Sequence, residues 1–474
     1  MHIETIGLAT LAVCLIGWCV GTGFLIGALF VSTVLGAAAA VTVTSLGSAN
    51  IQPAYLILGF VVLYAFARPS ARMAAGISLT FPREGFWLAA TALYAIVAAA
   101  FLPRIFAGST YVYTIARTEV GLGLLLSPLA PSTGNVTQTV YFVGDLLCFL
   151  MVVAFCREPA GVKAIVIAGL TAAAVNLFFA ALDLITFWTG TAALLGFLRN
   201  ATYRMLDDSV VGNFKRIVGS FPEASTFAYY TVGSFAFCAK LWLARVWPRL
   251  TGSLALLSVV ALVFSTSSSG YAGLAASVAL LFFSTLIEVA TRPVTRAASA
   301  FVLLVPLLVA TGLVGLRLYE PAWHAASGLV EETVFDKLGT ESGVERSRWN
   351  RQALTNFVET DGLGGGVGSV RASSFPIAVL GNIGVIGAAV YSVFLIQIFG
   401  RRRRGWNDAF PQACQSAARH ACFAQLAAAS VAGSFIDLGL PFFIFAGLAA
   451  ASPESSFISV AEESVIEPRA GAAA

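Results

Sequence analysis

Three stretches of this chain hold arginine, glutamate and small residues at spacings that can do chemistry. GSFPEAS (219–225) has Arg216 just before it and Glu223 directly after Pro222. ERSRWNRQAL (345–354) puts Arg346, Arg348 and Arg351 on a stretch that reads as an amphipathic helix. GLGGGVGSVRASS (362–374) supplies Gly362, Gly364, Gly365, Gly366 and Gly368, then Arg371 framed by Ser369, Ser373 and Ser374. Glycine reaches positive φ cheaply and lets backbone approach a ligand closely. Backbone amides, hydroxyls and a guanidinium together suit a phosphate or pyrophosphate. Arginine binds phosphate in fork geometry and keeps its charge. A carboxyl such as Glu223 is suited to general-base work.

Each stretch also has a plainer reading. Glu223 in the first turn of a helix complements the macrodipole. Arg216 can snorkel at an interface. Arg346, Arg348 and Arg351 can form a solvated face balanced by Glu341, Glu345 and Glu359. The glycines can simply join two helices, with Arg371 as an interfacial anchor.

What must position these residues is set by composition. Of 474 residues, 58% are hydrophobic and only 11% charged, and the mean hydropathy is +0.85. A soluble domain carries about 25% charged residues. Too little polar surface exists here to cover a soluble globule, so the expectation is an all-α integral membrane protein. The net charge of +4 does not point to nucleic acid, because basic residues in such a chain chiefly report orientation. Seven cysteines lie in or near apolar runs without a CxxC pair, which reads as packing. Three histidines, His2, His324 and His420, are too scattered for a metal cluster. The first apolar run continues too far for a cleavable signal peptide.

Apolar runs long enough for spans are expected at 6–44 (two, with a turn near Gly21-Thr22-Gly23), 52–67, 86–103, 139–156, 164–187, 224–243, 252–265, 271–288, 298–316, 375–398, 417–434 and 440–452. That makes about thirteen transmembrane helices, or twelve if the first run holds a re-entrant piece. One polytopic membrane domain, 1–452, is followed by a polar, disordered tail over 453–474. The turns with Arg68/Arg72, Arg157/Lys163, Lys240/Arg245/Arg249, Arg292/Arg296 and Arg401–Arg404 fall on one side by alternation. The positive-inside rule makes that side cytoplasmic. Segments 104–138, 188–222, 265–270, 317–373 and 434–439 then face outward, and the chemistry-bearing residues lie on that face. The 188–222 loop also carries Arg204, Asp207, Asp208 and Lys215. No inverted repeat of the kind many transporters carry is evident. Acids inside spans are costly and usually functional. Asp145, Asp183 and, at a helix junction, Asp437 qualify, unless they are buried hydrogen-bond partners of a neighbouring helix.

Four motifs occur in order on one side: KRIVGSFPEASTFA (215–228), STSSSGYAGLA (265–275), ERSRWNRQAL (345–354) and GLGGGVGSVRASS…GNIGVIG (362–387). Together they resemble the bacterial O-antigen ligase and polymerase superfamily, closest to the exopolysaccharide repeat-unit polymerases. The resemblance covers about the second half of the chain and the membrane layout. It implies a class C glycosyltransferase fold and substrates on a polyprenyl pyrophosphate carrier in the outer leaflet of the inner (cytoplasmic) membrane. It implies inverting, metal-independent transfer without a cofactor, with partners that include a chain-length-regulating co-polymerase and export proteins. Arg216, Arg346 and Arg371 match the family's motif arginines, with Arg348 an alternative for the register of the second. Glu223 is the expected base, with Asp437 and Asp145 behind it. Gly366, Gly368, Ser369, Ser373, Asp437 and Asp145 are expected at bound substrate. Ligases of the superfamily carry a histidine after the glycine motif. Arg371-Ala372-Ser373-Ser374 stands there instead, which favours the polymerase. A ligase and, from another class, a flippase of lipid-linked oligosaccharides remain the alternatives.

Overall fold

The computed structural model describes residues 2–43, 49–118, 121–202, 205–206, 208–211, 214–291, 295–320, 323–324, 327, 341–400 and 406–453. Arg204, Asp207, Arg292, Arg401–Arg404 and the tail from 454 lie outside them.

The chain is a stack of apolar helices. α1 (Thr5–Val20) and α2 (Thr22–Ser32) break at Gly21, whose φ of 123° places the turn where the glycine pair suggested. α3 (Pro53–Phe66) and α4 (Pro69–Ser78) are bent by 107° across Ala67 and Arg68. α5 (Glu84–Ile105), α6 (Thr133–Phe155), α7 (Pro159–Trp188), α8 (Ala224–Leu243), α9 (Pro248–Phe264), α10 (Ser268–Thr291) and α11 (Arg296–Leu318) follow. The last four are α12 (Glu341–Glu359), α13 (Phe375–Gly400), α14 (Ala409–Ala432) and α15 (Gly439–Ala450). Proline opens α3, α4, α7 and α9, where its missing N–H has no helical partner to lose.

Among the described residues, six helices are long and apolar enough to cross a membrane, or seven if the bent α3–α4 pair is one span. α1, α2, α9 and α15 are apolar but shorter. Of the twelve to thirteen expected spans, six to seven meet that length and composition; the runs 6–44, 252–265 and 440–452 hold shorter apolar helices, while α8 and α14 are long single helices outside the six. The multi-pass helical character holds.

Among the described residues, sheet is confined to small pieces. β1 (His2–Ile3), β2 (Val41–Val43) and β3 (Ala49–Ile51) form an antiparallel three-stranded sheet. β4 (Tyr111–Thr118) and β5 (Gly121–Pro128) form a hairpin inside the 104–138 segment, and β6 (Val210–Val211) pairs with β7 (Phe214–Lys215).

α8 packs against α9, α10 and α14, while α15 packs on α6 and α14. The centre is aromatic: Phe142, Phe149, Tyr391, Phe394 and Phe443 are buried and meet ring to ring at 5.6–6.4 Å. α11 is different, with only 6% of its apolar window buried, and Leu308 and Leu318 are 66% and 81% exposed. Such a helix needs lipid around it.

Candidate functional site

The glycine-rich stretch is wedged into a broken helix. Gly384 in α13 has φ 59° and ψ −164°, a conformation essentially closed to other residues. The break frees backbone groups, and the loop takes them. Gly365 N–H donates to the Gly381 carbonyl (2.8 Å), Gly366 N–H to the Asn382 carbonyl (3.0 Å) and Val385 N–H to the Gly362 carbonyl (2.9 Å). The Asn382 side chain completes the joint. Its Oδ1 accepts from the Gly368 and Val370 amides, and its Nδ2 donates to the Val370 and Ala378 carbonyls. A Cβ on Gly366 would meet Pro103 at 2.7 Å, and one on Gly368 would meet the Gly134 carbonyl oxygen at 2.3 Å. The expectation of an open amide cradle is thus corrected. The amides of Gly366 and Gly368 are engaged inside the protein, and these glycines permit close packing on α5 and α6. The loop's output is the position of Arg371.

Arg371 leaves this joint and lies over the indole of Trp349, 4.6 Å from its centroid. α12 presents one face to the loop. Trp349 stacks, Asn350 Oδ1 accepts from Ser373 N–H (2.7 Å), Ala353 is buried, and Asn356 Nδ2 donates to Thr110 Oγ1 (2.7 Å). Glu345 and Arg346 stand one turn earlier on that side, half-buried, whereas Arg348 and Arg351 are exposed. Helical phase accounts for the difference, because two residues correspond to about 200° of rotation. Of Arg346 and Arg348, Arg346 is the half-buried one on the side of Trp349.

Arg216 comes from the other side. Its Nε donates to Thr266 Oγ1 (3.1 Å) and its Nη2 to the Thr266 carbonyl (3.3 Å). Thr266 has φ 43°, an outlier for a β-branched residue, in the turn between α9 and α10. A buried acid holds the backbone around Arg216. Asp183 Oδ1 accepts from Arg199 Nη2 (2.6 Å) and lies 3.5 Å from Lys215 Nζ. Its Oδ2 accepts from the amides of Val218 (2.8 Å) and Gly219 (3.2 Å). Of the two readings open for Asp183, the structure gives the buried hydrogen-bond partner.

Glu223 is the N-cap of α8, half-buried, and accepts a hydrogen bond from Ser225 Oγ. It lies within electrostatic reach of both arginines. Burial pushes the Arg216 guanidinium below its ordinary pKa, Glu223 opposes that shift, and Arg346 adds to it. Burial also lowers Arg371, with Glu223 and then Glu345 opposing. Arginine keeps its proton regardless. Arg371 Nε is buried without a hydrogen-bond acceptor. Three guanidiniums and two carboxylates thus share one half-buried locus, with a donor left over, which suits an added anion.

Glu223, Arg216, Arg346 and Arg371, picked from separate motifs, are brought together, while Arg348 is not. Ser369 and Ser373 are buried supports: Ser369 Oγ accepts from Asn135 Nδ2 (2.7 Å). Asp145 and Asp437 form a separate pair. Sequence reading missed Asn382, Trp349, Asn350 and Thr266. Trp349 had a signal, since an aromatic three residues after Arg346 shares its helix face. No local pattern marks Asn382. Asn135 and Asn200, each within an N-x-T triplet, are both spent internally, Asn135 on Val367 and Ser369, Asn200 on Ala39.

No protein-family model matches this chain, and no curated protein or solved structure is found similar to it.

Proposed function

We propose that the chain is a membrane-embedded glycosyltransferase, a repeat-unit polymerase in the cytoplasmic membrane whose site faces outward. The observation that carries this reading is the convergence of Arg216 and Arg371, from distant parts of the sequence, on the single carboxylate Glu223.

In this reading the donor is a growing glycan on polyprenyl pyrophosphate, and the acceptor is one lipid-linked unit. Glu223 takes the proton from the acceptor hydroxyl. The hydroxyl oxygen attacks the donor's anomeric carbon from the face opposite the carrier. The anomeric C–O bond to pyrophosphate breaks, and the carrier leaves with that electron pair. Arg216, Arg346 and Arg371 stabilise the charge that develops on the leaving pyrophosphate. Trp349 keeps one face of the Arg371 guanidinium covered, so the fork edge is what the anion meets. Single displacement inverts the anomeric centre.

The direct test is reconstitution. Purified protein in lipid nanodiscs, given lipid-linked repeat units, is expected to yield longer glycans and free polyprenyl pyrophosphate in equal amounts. Elongation without carrier release, or neither product from well-folded protein, would refute the reading.

A further inference from the structure

A second polar cluster is not used by the transfer chemistry. Asp145 in α6 is completely buried and faces Asp437, in the turn between α14 and α15. Asp437 and the Tyr55 hydroxyl stand beside it, yet neither carboxylate oxygen of Asp145 makes a hydrogen bond of regular geometry. Tyr55 (α3), Tyr141 (α6), Tyr229 (α8) and Tyr391 (α13) surround the two acids. The turn is fixed from both sides. The Tyr391 hydroxyl donates to the Ile436 carbonyl (3.3 Å) and the Tyr229 hydroxyl to the Leu438 carbonyl (2.6 Å). Gly439 N–H donates to Asp437 Oδ1. The Tyr55 and Tyr141 rings are 4.8 Å apart. Asp437, Tyr55, Tyr141 and Tyr229 are each only half-buried, whereas Asp145 and Tyr391 are closed off.

Two facing acids inside a helical membrane bundle are expensive and contribute nothing to packing. They repel phosphate, so this is not a second pyrophosphate locus. Carboxyl oxygens flanked by aromatic rings instead match a hydroxyl-rich ring: vicinal hydroxyls hydrogen-bond to the carboxyl groups, and the rings cover its C–H face. The cluster also hangs from the arginine site. Tyr229 is six residues past Glu223 on α8, about 9 Å along the axis. Phe375, four residues past Arg371, has its ring 5.8 Å from that of Tyr391.

We propose that Asp145, Asp437 and the surrounding tyrosines form a neutral-sugar subsite. Resting on the transferase reading above, its occupant is the saccharide of the acceptor, held by its hydroxyls while the pyrophosphates stay among the arginines.

The test is saturation-transfer NMR on the full-length protein in nanodiscs, with short-chain butyl glycosides of glucose, galactose, mannose and N-acetylglucosamine as probes. Wild type and Arg371→Ala are expected to bind at least one glycoside. Asp437→Asn and Asp145→Asn are expected to lose about tenfold or more in affinity, as loss of hydrogen bonds to charged groups does. Tyr229→Phe, which keeps the fold and frees only the Leu438 carbonyl, is expected to weaken binding less. No glycoside binding in wild type, or equal binding in the Asn variants, overturns the subsite. Asp437-dependent binding in a well-folded protein that yields neither longer glycans nor free carrier on reconstitution would sink the transferase reading and leave the sugar subsite standing.

Discussion

The Arg371 guanidinium lies over the indole of Trp349, 4.6 Å from its centroid, so a residue from the glycine loop and one from α12 form a cation–π pair. An ammonium on a flexible stem has neither the plane nor the fork. Arg371→Lys is therefore expected to be nearly as damaging as Arg371→Ala, with polymer yield falling by about two orders of magnitude, the usual scale for one lost transition-state donor. Trp349→Ala should cost less, about tenfold, since it frees the guanidinium without removing it. Polymer yields in complemented cells, normalised to protein level, check both, and a near-normal Lys variant would contradict the bidentate role.

Thr266 holds Arg216 through its hydroxyl and its carbonyl while sitting at φ 43°. Thr266→Gly relieves strain of about 1–3 kcal/mol but deletes the hydroxyl acceptor. The variant is expected to melt higher and transfer more slowly, and Thr266→Ser to transfer near normally. Thermal unfolding and turnover measured on the same preparations give the comparison. A glycine variant as active as wild type would show that Arg216 needs no such anchor.

Gly384 tests the joint between the loop and α13. A Cβ there would meet the Gly362 carbonyl oxygen at 2.3 Å, on backbone that only glycine adopts. Gly384→Ala should abolish folded protein in the membrane fraction. Gly312→Ala in α11, which would meet nothing within 4 Å, should leave protein level unchanged. Equal levels of the two variants would contradict the wedge.

Asp183 offers the third structural handle. It is 2% exposed and takes hydrogen bonds from Arg199 and two backbone amides. Removing one partner of a buried ion pair costs about 3–5 kcal/mol. Asp183→Ala is expected to lower the unfolding midpoint sharply. An Arg199→Ala, Asp183→Ala double variant should lose less than the sum of the singles, because their interaction is counted once. Strict additivity would mean the two residues act independently.

Much of the helix layout was legible in the sequence. α8 was expected over 224–243 and runs Ala224–Leu243, because Pro222-Glu223 marks its start and the basic turn with Arg245 and Arg249 marks its end. The break at Gly21 followed from two glycines in an apolar run. Span number was not legible, since apolar length does not reveal where a helix bends, as α3 and α4 do across Ala67 and Arg68. The β4–β5 hairpin went unseen because YVYTIART and GLGLLLSP carry no alternation clean enough to separate them from a loop. The arginines and Glu223 were legible by residue type. The amides of Gly365, Gly366 and Gly368 were misread because their partners, Gly381 and Asn382, lie beyond any local window and depend on a kink at Gly384.

The shared site of Arg216, Arg371 and Glu223 is most directly tested by polymer length in a deletion strain. The strain carries wild type, Arg371→Ala or Glu223→Gln at matched protein level, with lipid extracts taken alongside. Single repeat units on their lipid in the outer leaflet, with no polymer from either variant, are the expected result. Normal polymer from both variants, or units stranded in the inner leaflet, would contradict a transferase built on these residues.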